Sequence, residues 1–250
     1  MGKVLTANEI FNNLVNDDKI LESNGRITFE LGGVNIVVKQ RDVVGNIIQE
    51  WLEGWMANKG IYFRGNPNTQ MPPDFFLLPD SSRNGLLEIK AFNADAAPGF
   101  DIADFTAYCR TLLSQPWMLD ADFMIFAYKM DANGLVSISN VWLKKVWQIC
   151  CASDKWPVKV QEKKGVIHKI RPATWYSTKT KYPCFTCVEH FLSALEQTLY
   201  DYPETRHLSS GAHWRKEMEK AYKGFFKTPI QIQRWDEGVS DLYTPSQMNN

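Results

Sequence analysis

The chain has 250 residues, of which 44% are hydrophobic and 22% are charged, a composition typical of a folded globular protein. Its formal net charge is zero, which argues against a protein that binds nucleic acid through a uniformly basic surface, although one basic cleft is still compatible with it. No run of about 18 apolar residues occurs, so no transmembrane helix and no membrane partner are predicted.

The first half of the chain is predicted to alternate between helices and short strands. Apolar residues repeat at helical spacing over residues 5–22, 45–58 and 101–114. A hairpin is predicted over residues 26–38, where apolar and polar residues alternate around Gly32 and Gly33. Strands are predicted at residues 61–63, 74–79, 86–92 and 122–129. This order predicts an α/β fold with a mixed central β-sheet flanked by helices.

The second half is predicted to continue the same domain, because no linker or repeat interrupts it. A strand is predicted at residues 135–139, and a hairpin over residues 158–170 that turns near Lys164 and Gly165. Helices are predicted at residues 140–152, 187–200 and 211–226. Residues 1–250 are therefore expected to form a single domain.

The cysteines and the N-terminus indicate where in the cell the protein is expected and which cofactors it is expected to need. The N-terminal MGKVLTANEIF lacks the apolar run of an export signal, so the five cysteines are expected to be reduced thiols in a cytoplasmic protein. Cys184 and Cys187 form a CxxC, but further ligands at suitable spacing are missing, so no zinc is expected. Without a Gly-rich phosphate loop, no nucleotide cofactor is expected either.

The most informative stretch is Pro73-Asp74, followed after thirteen residues by Glu88-Ile89-Lys90. Because side chains alternate along a strand, Glu88 and Lys90 are expected to point to one face and Ile89 to the core. Asp74 begins the preceding strand of the same predicted hairpin. The sequence therefore predicts two carboxylates and one ammonium at one end of a sheet.

Such a set suits hydrolysis of phosphodiester bonds. Two carboxylates bind a hard cation such as Mg²⁺ through oxygen, and the Ile89 backbone carbonyl is a further candidate ligand. The cation polarises the phosphate and lowers the pKa of a bound water. A lysine beside that water can orient it or stabilise the developing charge. The alternative interpretation, a solvated E-x-K on a surface strand, conflicts with the apolar residues around Glu88, where unpaired charges are costly.

These residues resemble the PD-(D/E)XK nucleases, whose common core has the same order of one helix, three strands, a helix and a strand. The resemblance covers about residues 44–129, roughly a third of the chain. The spacing and the segment NPNTQMPPDFFLLP are similar to the EcoRV-like branch of type II restriction endonucleases. The resemblance implies a homodimer that cuts both strands of a short site in double-stranded DNA with Mg²⁺, for which Mn²⁺ is expected to substitute. It also implies metal ligation by Asp74 and Glu88 and a catalytic role for Lys90.

Two regions outside this core are expected to complete the enzyme. Dimerisation and DNA recognition are assigned to residues 1–43 and 140–235. Lysine and arginine dominate residues 155–181, as expected for contacts with phosphates, although a solvated basic hairpin is the alternative. The candidate DNA-binding residues are Lys163, Lys164, Lys169, Arg171, Lys179 and Lys181.

The third acidic position of the family is open in this sequence. Many members carry an acidic residue on the helix before the core strands, and the usual offset here falls on Gln49, with Glu50 next to it. Both remain candidates for supporting the metal site.

Two other functions remain open at this point: a repair or junction nuclease of the same fold, and a non-catalytic DNA-binding module on that scaffold. The presence of all three catalytic residue types argues against the second of these.

Overall fold

The computed structural model describes residues 2–68 and 71–246. The helices are α1 (Ala7–Asn12), α2 (Val44–Asn58), α3 (Phe105–Ser114), α4 (Val188–Asp201), α5 (Arg206–Ser209) and α6 (His213–Phe226). The strands are β1 (Asn24–Arg26), β2 (Thr28–Leu31), β3 (Val34–Val37), β4 (Arg64–Gly65), β5 (Phe75–Phe76), β6 (Leu86–Asn93), β7 (Ala103–Asp104), β8 (Asp122–Met130), β9 (Leu135–Lys145), β10 (Val160–Lys163) and β11 (Val166–Ile170). None of the helices in these ranges is long and apolar enough to cross a membrane.

The chain divides into two compact units. The first contains the residues up to Pro98 together with Ala121–Lys144, and the second contains Gly99–Asp120 together with the residues from Lys145 onward. Most of the predicted core at residues 44–129 belongs to the first unit. The assignment of the whole chain to a single nuclease domain, with recognition and dimerisation elements at both ends, stays a prediction.

A six-stranded sheet forms the centre of the first unit, in the order β1-β9-β8-β6-β5-β4. Strands β6 and β8 run parallel, whereas β5 is antiparallel to both β4 and β6. The mixed sheet predicted from the sequence is therefore confirmed. Because β6 pairs on both sides and is central, its residues from Leu86 to Ile89 are buried.

Helix α2 covers this sheet, as its amphipathic spacing predicts. Val44, Ile48, Leu52 and Met56 are buried at intervals of one turn, and they belong to the same core as Ile89 of β6. The helix comes close to β6 at Gly45, where an added Cβ would lie 3.9 Å from the Cβ of Ala91. This packing fixes the position of α2 beside the strand that carries Glu88 and Lys90.

The predicted N-terminal hairpin is confirmed as β2 and β3, but its burial is unusual. Phe29 pairs with Ile36 and Leu31 pairs with Val34 across the two strands. Gly32 and Gly33 have φ values of 59° and 79°, the left-handed backbone that a two-residue turn of this kind requires. All four apolar side chains are more than half exposed. The hairpin therefore presents one apolar face to solvent.

The second unit combines helices with a three-stranded sheet in the order β10-β11-β7. Its hairpin turns at Lys164 and Gly165, as predicted, with φ values of 53° and 82°. Trp214 of α6 is buried, and its indole Nε1 donates a hydrogen bond of 2.8 Å to the Cys109 carbonyl of α3. This contact ties two of the predicted helices together.

One predicted helix, over residues 140–152, is wrong. Strand β9 continues to Lys145 and is followed by a short 3₁₀ turn at Val146–Ile149. The helical spacing in this segment coincides with a run of valine, tryptophan and leucine, residue types that also suit a strand. Pairing within the central sheet decides in favour of the extended form, as it does where tertiary contacts override local propensity.

Other boundaries moved as well. The strand predicted at residues 74–79 is limited to Phe75–Phe76, and Asp74 lies just before it. The first helix ends at Asn12 and continues only as a π turn at Asn13–Asp17, not as a helix to residue 22. The strand predicted at residues 61–63 lies at Arg64–Gly65 instead. Helix α3 begins after Asp104, whose carboxylate caps the helix by accepting from the Ala107 N–H at 2.9 Å.

Candidate active site

Asp74, Glu88 and Lys90 meet at the end of the β5–β6 ladder in the first unit. Phe75 pairs with Leu87, so one residue further along the same antiparallel register Asp74 lies opposite Glu88. Opposite residues of an antiparallel pair share one face, and Lys90 shares the face of Glu88 because it is two residues on. The two-residue period of the strands therefore explains why these three side chains converge.

The Asp74 side chain, just before β5, accepts a hydrogen bond from the backbone of β6. Its Oδ2 accepts a hydrogen bond of 2.7 Å from the Ile89 N–H. In an extended strand the N–H and the C=O of one residue point to the same side, so the Ile89 carbonyl faces the same edge as Asp74. The Ile89 side chain is buried in the core on the other face of the sheet. The backbone around Ile89 is thus oriented towards the carboxylates.

Glu88 is buried, and one of its two carboxylate oxygens lacks a hydrogen-bond donor among the described residues. Its side chain is 6% exposed, and its Oε1 lies 2.8 Å from the Lys90 Nζ. Its Oε2 is buried and has no hydrogen-bond partner among the described residues. A buried carboxylate oxygen without a donor is unfavourable unless a cation or another ligand compensates it. The site therefore carries negative charge that one lysine does not fully balance.

The pKa values of both carboxyl groups are raised, and burial is the largest cause in each case. For Glu88, the Lys90 ammonium opposes this shift, while the nearby Asp74 carboxylate adds to the rise in pKa. For Asp74, the hydrogen bond from the Ile89 backbone and the charge of Lys90 oppose the rise in its pKa. Two acidic groups that are held close together and away from water favour the binding of a cation between them.

The two candidates on α2, Gln49 and Glu50, differ in their surroundings. A hydrogen bond from the Gln49 side chain lowers the pKa of Asp74, so Gln49 contacts the site. Glu50 is exposed, whereas Gln49 is half-buried. Gln49 is therefore the residue of the two that interacts with Asp74, while the third acidic position of the family stays a prediction.

Asn66 is a positioning residue that sequence reasoning missed. Its Nδ2 donates to the carbonyls of Pro73 and Met71 at 2.9 Å each, and its backbone N–H donates to the Asp74 carbonyl at 3.0 Å. The loop before Asp74 is thereby held in place at its last residues. An asparagine followed by a proline is a turn signal in the sequence, but its distant partners could not be read from it.

The donor set fits a hard divalent cation. The site offers one backbone carbonyl and two carboxylates, one of which contains the unsatisfied Oε2 of Glu88, and all of these are oxygen ligands. Within residues 2–68 and 71–246, no group of three or more His, Cys, Asp or Glu side chains is arranged to hold a metal. Two carboxylates are nevertheless a sufficient protein contribution for Mg²⁺, which usually keeps several waters.

The six candidate DNA-binding residues lie in the second unit and fall into two groups. Lys169, Arg171 and Lys181 form ion pairs with Asp104, Asp101 and Asp154, respectively. Lys163 and Lys164 are exposed at the β10–β11 turn, and Lys179 is exposed in a loop. These last three form no ion pair with any residue that the structure describes. The basic character of residues 155–181 is therefore partly neutralised within the unit.

Comparisons with known proteins agree with this geometry. Residues 4–243 match the NgoBV restriction endonuclease family. The chain is 53% identical to the type II restriction enzyme NlaIV of Neisseria lactamica over 234 residues, which cover 93% of this chain and 96% of that protein. It is 51% identical to the type II restriction enzyme NgoBV of Neisseria gonorrhoeae over 161 residues, 64% of this chain and 91% of that protein. The solved structure of NlaIV restriction endonuclease superimposes with a TM-score of 0.92 and 52% identity, covering 96% of this chain and 97% of that one.

The mixed sheet, the convergent carboxylates and these relatives define a type II restriction endonuclease, a nuclease that cuts DNA at specific sites in a restriction-modification system. The chain belongs to the NgoBV restriction endonuclease family. The predicted resemblance to type II restriction endonucleases and the predicted fold class are confirmed. Such enzymes bind DNA and are expected to use a divalent metal ion.

Proposed function

We propose that this endonuclease hydrolyses double-stranded DNA with Mg²⁺, using Asp74, Glu88 and Lys90. The observation that carries the proposal is the meeting of the buried Glu88, the half-buried Asp74 and Lys90 at one strand end, with one buried oxygen of Glu88 unsatisfied. Mn²⁺ is expected to substitute, while zinc and nucleotide cofactors are not required. As an enzyme that acts on DNA inside the cell, it is placed in the cytoplasm.

Each residue has a role that follows from its position. Asp74 and Glu88 would hold the ion together with the Ile89 carbonyl. When bound, the ion supplies polarisation of the scissile phosphate and a lower pKa for a coordinated water. Lys90 would orient the attacking water and stabilise negative charge on the phosphate oxygens. Gln49 holds Asp74 in the required orientation by its hydrogen bond.

The proposal is tested by incubating the purified protein with unmethylated phage DNA in Mg²⁺ and, separately, in EDTA. Discrete fragments in Mg²⁺ and intact DNA in EDTA are expected, because EDTA removes the cation that Asp74 and Glu88 would hold. A smear of fragments would indicate a nuclease that recognises DNA structure. Intact DNA in both buffers, including a cruciform substrate, would support a binding module instead.

Contact with the DNA backbone is proposed for Lys163, Lys164 and Lys179, the three of the six candidates that form no ion pair with a described residue. A lysine without an internal carboxylate partner can exchange its counterions for phosphate without breaking an ion pair. Lys163 and Lys164 sit together at a hairpin turn, a shape that can reach into a groove. Lys169, Arg171 and Lys181 are assigned mainly to the internal structure, because each already has an acidic partner.

Replacing both Lys163 and Lys164 with glutamine is expected to weaken DNA binding and to flatten its salt dependence. The slope of log K against log salt concentration is negative, and each lost phosphate contact reduces its magnitude by about 0.9. The double variant should therefore have a slope smaller in magnitude by about 1.8. The matched control replaces Lys155 and Lys181, which pair with Glu162 and Asp154. Fluorescence anisotropy titrations at several salt concentrations measure the DNA affinity and its salt slope for the two double variants. Equal slopes for the two double variants would remove the turn from the interface.

A homodimer is proposed through the apolar face of the β2–β3 hairpin. Phe29, Leu31, Val34 and Ile36 are 54%, 70%, 64% and 51% exposed and point to one side. An isolated two-stranded hairpin is marginally stable in water, so this face needs a cover. DNA is a polyanion and is not complementary to this apolar face. The same uncharged face of a second copy is complementary to it.

Two features favour a second copy as the cover. A twofold interface brings one patch against itself, which an uncharged apolar face tolerates and a charged face does not. An apolar groove of about 370 Å³ in the same unit, lined by Ile20, Ile27, Trp51, Trp55 and Ile138 among others, reaches the residue just before β2. Groove and hairpin thus add two apolar surfaces of the kind that marks an interface.

Replacing Leu31 with glutamate is expected to convert the protein to a monomer, because a buried unpaired charge opposes association. Analytical ultracentrifugation should give about twice the chain mass of 28.7 kDa for the wild type and the single-chain mass for the variant. Asn35→Glu places the same charge on the other face of the same hairpin and should leave the dimer intact. A wild type that sediments as a monomer at micromolar concentration would refute the interface.

A further inference from the structure

Helix α6 carries a row of lysines on one side. Lys216, Lys220, Lys223 and Lys227 follow one another at intervals of four, three and four residues. With 3.6 residues per turn, Lys216, Lys220 and Lys223 fall within an arc of about 60° around the helix axis, and Lys227 follows as the C-cap residue. The opposite side of the helix is anchored by Trp214 and Met218, which are buried. The lysine row therefore faces away from the core.

The lysine row has few internal partners. Lys216 and Lys223 form no ion pair within the described part of the chain. Lys220 lies 3.7 Å from Glu217, and its side chain is 78% exposed. Lys227, at the C-terminal end of the helix, donates to the Gly224 carbonyl at 2.6 Å. The first three lysines are thus available for a ligand, whereas the fourth caps the helix.

A groove runs beside these three lysines. It has a volume of about 590 Å³ and is lined by Lys216, Lys220 and Lys223, by Glu219 and Gly224, and on its other wall by Pro229 and Ile230. Glu219, the one acidic residue lining it, accepts a hydrogen bond of 2.9 Å from the Ile232 N–H. One carboxylate that is already engaged does not neutralise three lysines, so the groove is basic.

The arrangement opposes helix stability when nothing is bound. Like charges three or four residues apart repel each other on a helix surface, and each neighbouring pair in the row has this spacing. Glu217, 3.7 Å from Lys220, and Glu219 in the groove offset only part of this repulsion. A bound polyanion would remove the repulsion.

We infer that the α6 groove binds the phosphate backbone of DNA. From Lys216 to Lys223 the helix rises by about 10 Å. One strand of B-DNA presents a phosphate about every 3.4 Å along its axis, so the lysines span about three phosphates. This inference rests on the proposed function, since it gives the nuclease a contact with its substrate that is separate from the β10–β11 turn. An acidic protein is the competing ligand.

The test replaces Lys216, Lys220 and Lys223 with glutamine and measures binding without cleavage, in EDTA, to a labelled phage DNA fragment that the wild type cuts in Mg²⁺. Loss of three phosphate contacts reduces the magnitude of the slope of log K against log salt concentration by about 2.7. A rise in salt from 50 to 200 mM should therefore weaken the wild type about 40-fold more than the variant. The control replaces Lys3, Lys19 and Lys39, three exposed lysines of the first unit, and changes the net charge equally.

The outcomes separate the inference from the proposed function. If the wild type cuts DNA but the triple variant keeps the wild-type slope, the α6 groove does not bind the backbone. Equal losses in the triple variant and its control would show an effect of net charge alone and also overturn the inference. A wild type that cuts no DNA in Mg²⁺ would instead refute the proposed function. Lys220→Gln alone, expected to lower the slope by about 0.9, keeps the test valid if the triple variant does not fold.

Discussion

Replacing Glu88 with glutamine is expected to lower the rate of DNA cleavage by about 10³-fold or more and, in metal-free buffer, to raise the melting temperature. The rate falls because the site loses one of the two carboxylates available to a cation. The stability rises because Glu88 is buried next to Asp74, with one oxygen unsatisfied. For a chain of this length, each 1 kcal/mol gained shifts the melting temperature by about 2–4 °C.

The control is Glu53→Gln, the same chemical change at an exposed position of α2. Gel-based single-turnover kinetics and calorimetry should show it close to the wild type in both properties. A Glu88→Gln protein that cuts DNA at the wild-type rate would remove Glu88 from the catalytic site. A clear fall in its melting temperature would show that the ion pair with Lys90 outweighs the burial of the carboxylate.

Replacing Lys90 with alanine is expected to lower cleavage by about 10²–10³-fold and, unlike the Glu88 variant, to destabilise the fold. The Lys90 Nζ is the cation 2.8 Å from Glu88, so its removal leaves a buried carboxylate with less compensation. Leaving such a group unsatisfied costs about 1–3 kcal/mol. The two single variants should therefore share the loss of activity and differ in the sign of their effect on stability.

A double variant makes this contrast sharper. In the Glu88→Gln background the carboxylate is gone, so Lys90→Ala should cost little further stability, and the two effects should not add. Lys129→Ala removes a lysine that is 56% exposed on the neighbouring strand β8 and should change neither property. Cleavage by Lys90→Ala at the wild-type rate would exclude the lysine from catalysis.

The convergence of Asp74, Glu88 and Lys90 could be predicted because it depends on local rules alone. The side-chain period of a strand places Glu88 and Lys90 on one face, and the short connection from β5 to β6 brings Asp74 opposite them. Helix α2 and the hairpin at Lys164 were predictable for the same reason, since their spacing and turn residues are contained within the segments themselves.

The remaining features depend on partners distant in sequence. The different exposure of Gln49 and Glu50 is set by where α2 packs on the sheet, and the contacts of Asn66 are set by the path of a loop. A helix was wrongly predicted after residue 139. The actual length of strand β9 depends on its pairing in the central sheet, which the local sequence does not reveal. The partial neutralisation of the basic segment arises from contacts such as Arg171 with Asp101, seventy residues apart.

The path of the chain limits how this enzyme can be engineered. Strands β6 and β8 lie side by side in the first unit, yet Gly99–Asp120, between them in sequence, belongs to the second. Truncation from either terminus therefore cannot yield the catalytic sheet as a separate fragment. A chimaeric nuclease that borrows this cleavage chemistry would have to bridge Pro98 to Ala121 with a new crossover, or carry the native one along.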